Sequence, residues 1–237
     1  MAKILTGGGV SAIRGSIAGQ TFSVNANGAY VRNRGTISNR NTPLQQVARA
    51  ILASVAMAWR NLTDSQRLTW VTLAMEYSYT DSLGISSKLT GFQLFQKFNQ
   101  SLQQAGRSII TVAPTLVTLE TIEFSAGNID VSAQTLGLTA TFLPSESVNV
   151  PTGCVMLVEA TNELSAGVYR PKRPQFRQIT ILNEGEDITA GFSIANYTTV
   201  FGSMPAVGGN VFVRLTLVSI TSGERTSPVF SPVSVTA

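Results

Sequence analysis

Beyond residue 110 the apolar side chains gather into seven short runs separated by turn residues, and this pattern most constrains what the chain can fold into. The runs are Thr121–Ser125, Leu138–Leu143, Cys154–Glu159, Gln178–Leu182, Ala190–Ala195, Asn210–Ile220 and Pro228–Val235. In the sixth, Val211, Val213, Leu215 and Leu217 alternate with Phe212, Arg214, Thr216 and Val218. Successive side chains on a strand point to opposite faces, so this run has one face to bury and needs a second layer to bury it against. Seven short strands over residues 110–237 predict a β-sandwich of the immunoglobulin or fibronectin type III kind. Pro228 and Pro232 have no amide hydrogen to give to a ladder, which predicts that the last strand lies at a sheet edge.

Residues 42–109 carry a different period. Thr42-Pro43-Leu44-Gln45, Thr63-Asp64-Ser65-Gln66 and Thr90-Gly91-Phe92-Gln93 each place glutamine three residues after threonine. At that spacing the threonine hydroxyl accepts from the N3 amide while the glutamine reaches back to the cap amide, so each marks a helix start. The first helix extends to about Leu62, with Leu44, Val47, Ile51, Val55, Trp59 and Leu62 at helical spacing. The second carries two stripes, Leu68/Val71/Met75 and Trp70/Leu73/Tyr77, and the third carries Phe92, Phe95, Phe98 and Leu102 before a stop at Gly106. The aromatic spacing is that of a core. Helices this apolar on one side form a small bundle or clamp onto a partner.

Residues 1–41 are rich in glycine and asparagine. Thr21–Asn25 and Ala29–Arg32 flank Asn27-Gly28, a step that favours the positive φ angles of a tight hairpin. A lone hairpin is marginal in water and needs a surface to lie on. The first 63 residues hold seven basic side chains and no acid, whereas residues 111–237 hold six bases against ten acids. Such asymmetry points to an acidic partner, either nucleic acid or the acidic face of a neighbouring subunit, and the two halves could also complement each other head to tail. Arg14, Arg32, Arg34 and Arg40 are the candidate partner-binding residues. Their spacing lacks the dense basic runs of nucleic-acid tails, which favours protein contact.

The chemistry is bounded by what the chain omits. It contains no histidine, the side chain most used for acid–base work near neutral pH and the commonest metal ligand. Serine nucleophiles therefore lack an imidazole base, and no Gly-x-Ser-x-Gly elbow occurs. The single cysteine, Cys154, sits in an apolar run and reads as a small core residue. Glu184, Glu186 and Asp187 fall in a turn, where solvated charge or at most a weak cation site is expected. Gly7-Gly8-Gly9 lacks the Gly-Lys-Ser/Thr ending of a phosphate loop. The expectation is a chain that is not an enzyme, with no catalytic residue, no cofactor, no metal site and no small-molecule substrate. No run of about 18 apolar residues is present, so no membrane span is expected. Charged residues make up only 13% of the chain, and a neutral polar surface of that kind is cheap to desolvate against neighbours.

Three stretches carry a family resemblance: Asn41-Thr42-Pro43-Leu44-Gln45-Gln46, then Trp59-Arg60-Asn61-Leu62-Thr63-Asp64-Ser65-Gln66-Arg67-Leu68-Thr69-Trp70, then Gly91-Phe92-Gln93-Leu94-Phe95. They resemble a group of uncharacterised proteins from phages and prophages of the Bacteroidetes. Those proteins are also similar in a Gly-rich start, a Tyr-Val-Arg-like strand before the helices and a C-terminal β-sandwich. The resemblance covers the first 105 residues in motif and the remainder in outline, and it carries over no functional residue. It implies a phage setting. The combined expectation is an α+β protein with three parts: an N-terminal β-hairpin arm (1–41), a three-helix module (42–109) and an immunoglobulin/fibronectin-III-like sandwich (110–237). It would serve as a non-catalytic structural component of a bacteriophage virion, capsid-associated, decoration or neck, assembled in the host cytoplasm. Its partners would be other virion proteins and copies of itself. The alternatives are a nucleic-acid-binding protein using the basic N-terminal region and a host-surface adhesion module.

Overall fold

A computed structural model describes the chain except for residues 1, 5–6, 10–11, 27, 36–40, 81–85, 166 and 173–174. The fold is mixed α+β, and the chain divides into two compact units, Met1–Gln46 and Val47–Ala237.

The first unit is a four-stranded antiparallel sheet of β1 (Ala2–Lys3), β2 (Gly15–Ile17), β3 (Gln20–Asn25) and β4 (Gly28–Asn33), in the order β1-β4-β3-β2. The expected hairpin is β3–β4. Asn25 pairs with Gly28, so its loop falls one residue earlier than the Asn27-Gly28 step suggests. A second hairpin, β2–β3, goes unsignalled in the sequence. Ile17 pairs with Gln20 across Ala18 and Gly19, whose φ angles of 44° and 82° match the type I′ turn that suits strand twist. Alanine holds the position where asparagine or aspartate would have announced that turn.

The helices begin where their caps place them: α1 (Pro43–Arg60), α2 (Asp64–Glu76) and α3 (Gly91–Gln104). Both halves of the capping box are present at Thr63/Gln66 and at Thr90/Gln93, and longer reciprocal bonds of 3.4 Å join Thr42 and Gln45. Gly106, at φ +70°, closes α3. Its amide donates to Gln103 O and that of Arg107 to Leu102 O, the paired bonds of a Schellman stop. A ribbon not foreseen from sequence, β5 (Ser78–Thr80) with β6 (Ser86–Lys88), joins α2 to α3. Trp70, Ala74, Leu94, Phe95 and Phe98 form the helical core, with Val55 and Leu62 from the end of α1 and the next residues. Thr63→Ala removes the acceptor for the Gln66 amide and is expected to cost about 1 kcal/mol, read as a lowered denaturant midpoint.

The β zone is one curled seven-stranded sheet of β7 (Thr121–Asp130), β8 (Thr135–Leu143), β9 (Cys154–Ala160), β10 (Arg177–Leu182), β11 (Phe192–Ser193), β12 (Val211–Ser219) and β13 (Val229–Thr236). Its order is β10-β9-β12-β13-β7-β8-β11, and both ends of that order contribute to a single core that includes Met156, Val158, Leu215, Phe142, Leu136 and Ile129. The fifth expected strand shrinks to two residues and is followed by a short helix, α4 (Asn196–Phe201), that the sequence did not announce. The last strand is interior in the order, not at an edge. Val229–Val233 pair antiparallel with β12, then Ser234–Thr236 pair parallel with β7. Because the ladder changes sides just after Pro232, β13 has a partner on one side at a time, and this is how an interior strand tolerates proline.

The sheet buries part of its outer face as well. All seven residues of β9 are buried: Met156 and Val158 point into the main core, while Val155 and Leu157 join Val218 and Ala105, which follows α3, in a separate cluster. On the same outer face Arg214 donates to Glu159 at 2.6 Å and stacks over Phe176 at 4.6 Å. Arg225 on the β12–β13 connection donates to Ser101 Oγ and to Gln104 Oε1 on α3, each at 2.7 Å. Helices and sheet thus share one compact unit, since each covers apolar surface of the other.

Candidate assembly surface

Every residue of Met1–Gln46 whose burial is described is exposed or half-buried; not one of these is buried. The sheet register explains what that leaves in solvent. Pairing of Ser16 with Thr21 and of Thr21 with Arg32 puts those three on one face, together with Ser23 and Tyr30. A 3.0 Å bond between Ser16 Oγ and Thr21 Oγ1 lies on that face. The opposite face carries Ile17, Phe22, Val24, Ala29 and Val31. Ile17 is 67% exposed and Val24 37%, while Phe22, Ala29 and Val31 are half-buried, so part of the apolar face of the sheet is open to solvent. A small sheet gains its stability by burying one face, and among the described residues that face is buried only in part.

Of the four arginines singled out in the sequence, the sheet carries Arg32 on β4 and is flanked by Arg14 before β2 and Arg34 after β4. All three side chains are exposed, and none has a hydrogen bond or ion pair among the described residues. The Arg34 backbone amide donates to Gly19 O at 2.6 Å, which ties the end of β4 to the β2–β3 turn. Arg40 lies outside the described residues. The apolar face is the part of this surface that sequence reasoning missed. Its signal was the alternation Ile17, Phe22, Val24 across two strands, diluted by the glycines and serines between them.

The second unit has an exposed apolar stripe of its own. On α2, Trp70 and Leu73 turn into the helical core, as does Tyr77 just after it, while Leu68 and Met75 stay more than 60% exposed and Val71 sits beside Gly91.

Elsewhere several polar groups that could carry chemistry are hydrogen-bonded within the fold. Burial pushes the Cys154 thiol up from its ordinary value, a core cysteine and not a reactive one. Tyr197 is buried with its hydroxyl donating to Thr161 O at 2.8 Å, and burial raises its pKa strongly. Glu184 accepts from the Gly153 amide, Glu186 from Asn183, and Asp187 from the amide and hydroxyl of Thr189, which hold its carboxyl below the usual range. Among the described residues no group of three or more cysteine or acidic side chains is placed to hold a metal ion. A surface groove of about 610 Å³ between α3 and the Gly223–Arg225 turn is crossed by the Arg225 bonds to Ser101 and Gln104, so these three of its polar lining residues are engaged in helix docking. No helix among the described residues is long and apolar enough to cross a membrane.

Comparisons with protein-family models, curated proteins and solved structures returned no match for this chain.

Proposed function

We propose that this chain is a non-catalytic structural component of a bacteriophage particle, and that its N-terminal sheet is the surface by which it assembles. The observation that carries the reading is the absence of any buried residue among those of Met1–Gln46 whose burial is described, on a sheet with one apolar and one basic-polar face. Five bases with no acid repel one another, and ordering a glycine-rich segment costs conformational entropy, so a partner must compensate on both counts. The phage setting comes from the resemblance in the helical zone. The curled sheet, with two hydrogen-bonded halves around one core, supports an immunoglobulin-like body, a rigid block suited to repeated packing. Other virion proteins and copies of the chain itself are its partners in this reading, and the virion is where it acts. Quantitative mass spectrometry of particles purified from the producing host tests the proposal. The expected result is this chain at a copy number comparable with known shell or neck proteins. Its absence from particles, with the chain present in the lysate, would overturn the reading.

A further inference from the structure

We infer that the surface receiving the N-terminal sheet belongs to a second copy of this chain, at the acidic end of its β zone; the inference rests on the assembly reading above and names the partner. Charge is split unequally between the two units. Met1–Gln46 holds five bases and no acid, while Val47–Ala237 holds twelve bases and all thirteen acids. Five of the thirteen acids, Glu120, Glu146, Glu184, Glu186 and Asp187, gather where β8, β9 and β10 meet their loops. Residues 144–153 and 183–188 are knitted together there by the Asn149–Asp187 bridge and by the bonds Val150 N to Glu186 O and Gly185 N to Val150 O. Ser145 Oγ draws Glu120 into the same end at 2.6 Å.

Glu146, Glu184, Glu186 and Asp187 are exposed there, and none is in an ion pair among the described residues. The basic group seen in direct contact with this end is Arg107, which donates to Asn183 Oδ1 at 2.8 Å. The same end also exposes one apolar side chain, Val148 on the acidic loop, 37% exposed. An apolar centre ringed by charge is the composition of a specific interface. Ile17, Phe22 and Val31 would supply the centre on one copy, with Arg14, Arg32 and Arg34 at the rim. The carboxylates around Val148 supply the complement on the other. Such a contact is heterologous: each copy offers one surface and receives with another, so it propagates into a ring or a stack.

Sedimentation of the full-length chain over a range of concentrations, at low and high salt, tests the pairing. Arg32→Glu/Arg34→Glu and Glu146→Lys/Glu186→Lys change exposed side chains, and unchanged thermal melting of each variant verifies that it folds. The wild-type chain is expected to self-associate more weakly as salt rises. Each double variant should lose about tenfold or more in association. A mixture of the two should recover it, because each then meets a partner of opposite sign. Three results would overturn the inference: a wild-type chain that stays monomeric throughout, wild-type association of the Glu146→Lys/Glu186→Lys variant, or a mixture that fails to recover association. Any of these, with the chain still found at high copy in particles, removes the second copy as partner and leaves the assembly reading in place.

Discussion

Replacing Trp70 with alanine is expected to lower the folding stability of the second unit by about 3–5 kcal/mol. Trp70 has no exposed surface. Its ring meets Phe95 edge-on at a centroid distance of 5.1 Å and lies 6.2 Å from Phe98. Its indole N–H donates to Thr111 O at 3.0 Å, so truncation opens a cavity and also leaves a backbone carbonyl on the segment leading into the sheet without its donor. Denaturant unfolding measures the loss as a shift in midpoint at unchanged slope. The comparison with Thr63→Ala sharpens the result, since a cap at the solvent-facing start of α2 is worth about 1 kcal/mol. A Trp70 loss no larger than the cap loss would mean that the ring does not hold α2 and α3 together.

Gly223→Ala is expected to cost about 2–5 kcal/mol, about 1–3 from overpacking and about 1–2 from the left-handed backbone. A β-carbon on Gly223 would run into the carbonyl oxygen of Phe98 and lie 2.9 Å from its carbon and 3.1 Å from Leu102 Cγ. The first two are backbone atoms of α3 and cannot rotate away, so the helix itself must retreat. Retreat pulls Ser101 and Gln104 off Arg225 and Ala105 off Val218. Gly208→Ala separates the two contributions. Gly208 has the same φ of +77° but open space around its β-carbon, so only the backbone cost of about 1–2 kcal/mol should appear. Equal losses at the two positions would show that the approach of α3 to the β12–β13 turn is not what Gly223 serves.

Much of this architecture was legible because it is local. The three Thr-x-x-Gln steps placed every long helix start, and six of the seven apolar runs became strands with ends shifted by a few residues. What escaped depends on contacts distant in sequence. Nothing near Pro232 says that the ladder changes from β12 to β7 just beyond it, so the proline read as an edge. Val155 and Leu157 read as buried, but only the arrival of Ala105 and Val218 shows that their partner is a helix end and not a second sheet layer. Ala18, at φ +44°, concealed the β2–β3 turn because a residue with a β-carbon rarely takes that conformation. The assembly surface was half visible. Charge named Arg14, Arg32 and Arg34, which the structure places on or beside one sheet, whereas the apolar face emerged only once register had put Ile17, Phe22 and Val31 on the same side.

Packing of the N-terminal sheet on other molecules is the step on which the assembly proposal stands or falls. Its most direct test compares the full-length chain with one that begins at Thr42, which keeps the Thr42 cap of α1 and removes all four strands of the first unit. The account requires the shortened chain to melt in the same transition as the second unit of the full-length chain, yet to be missing from particles assembled in its presence. Incorporation of the shortened chain at full copy number would contradict the account and leave the sheet without an assembly role.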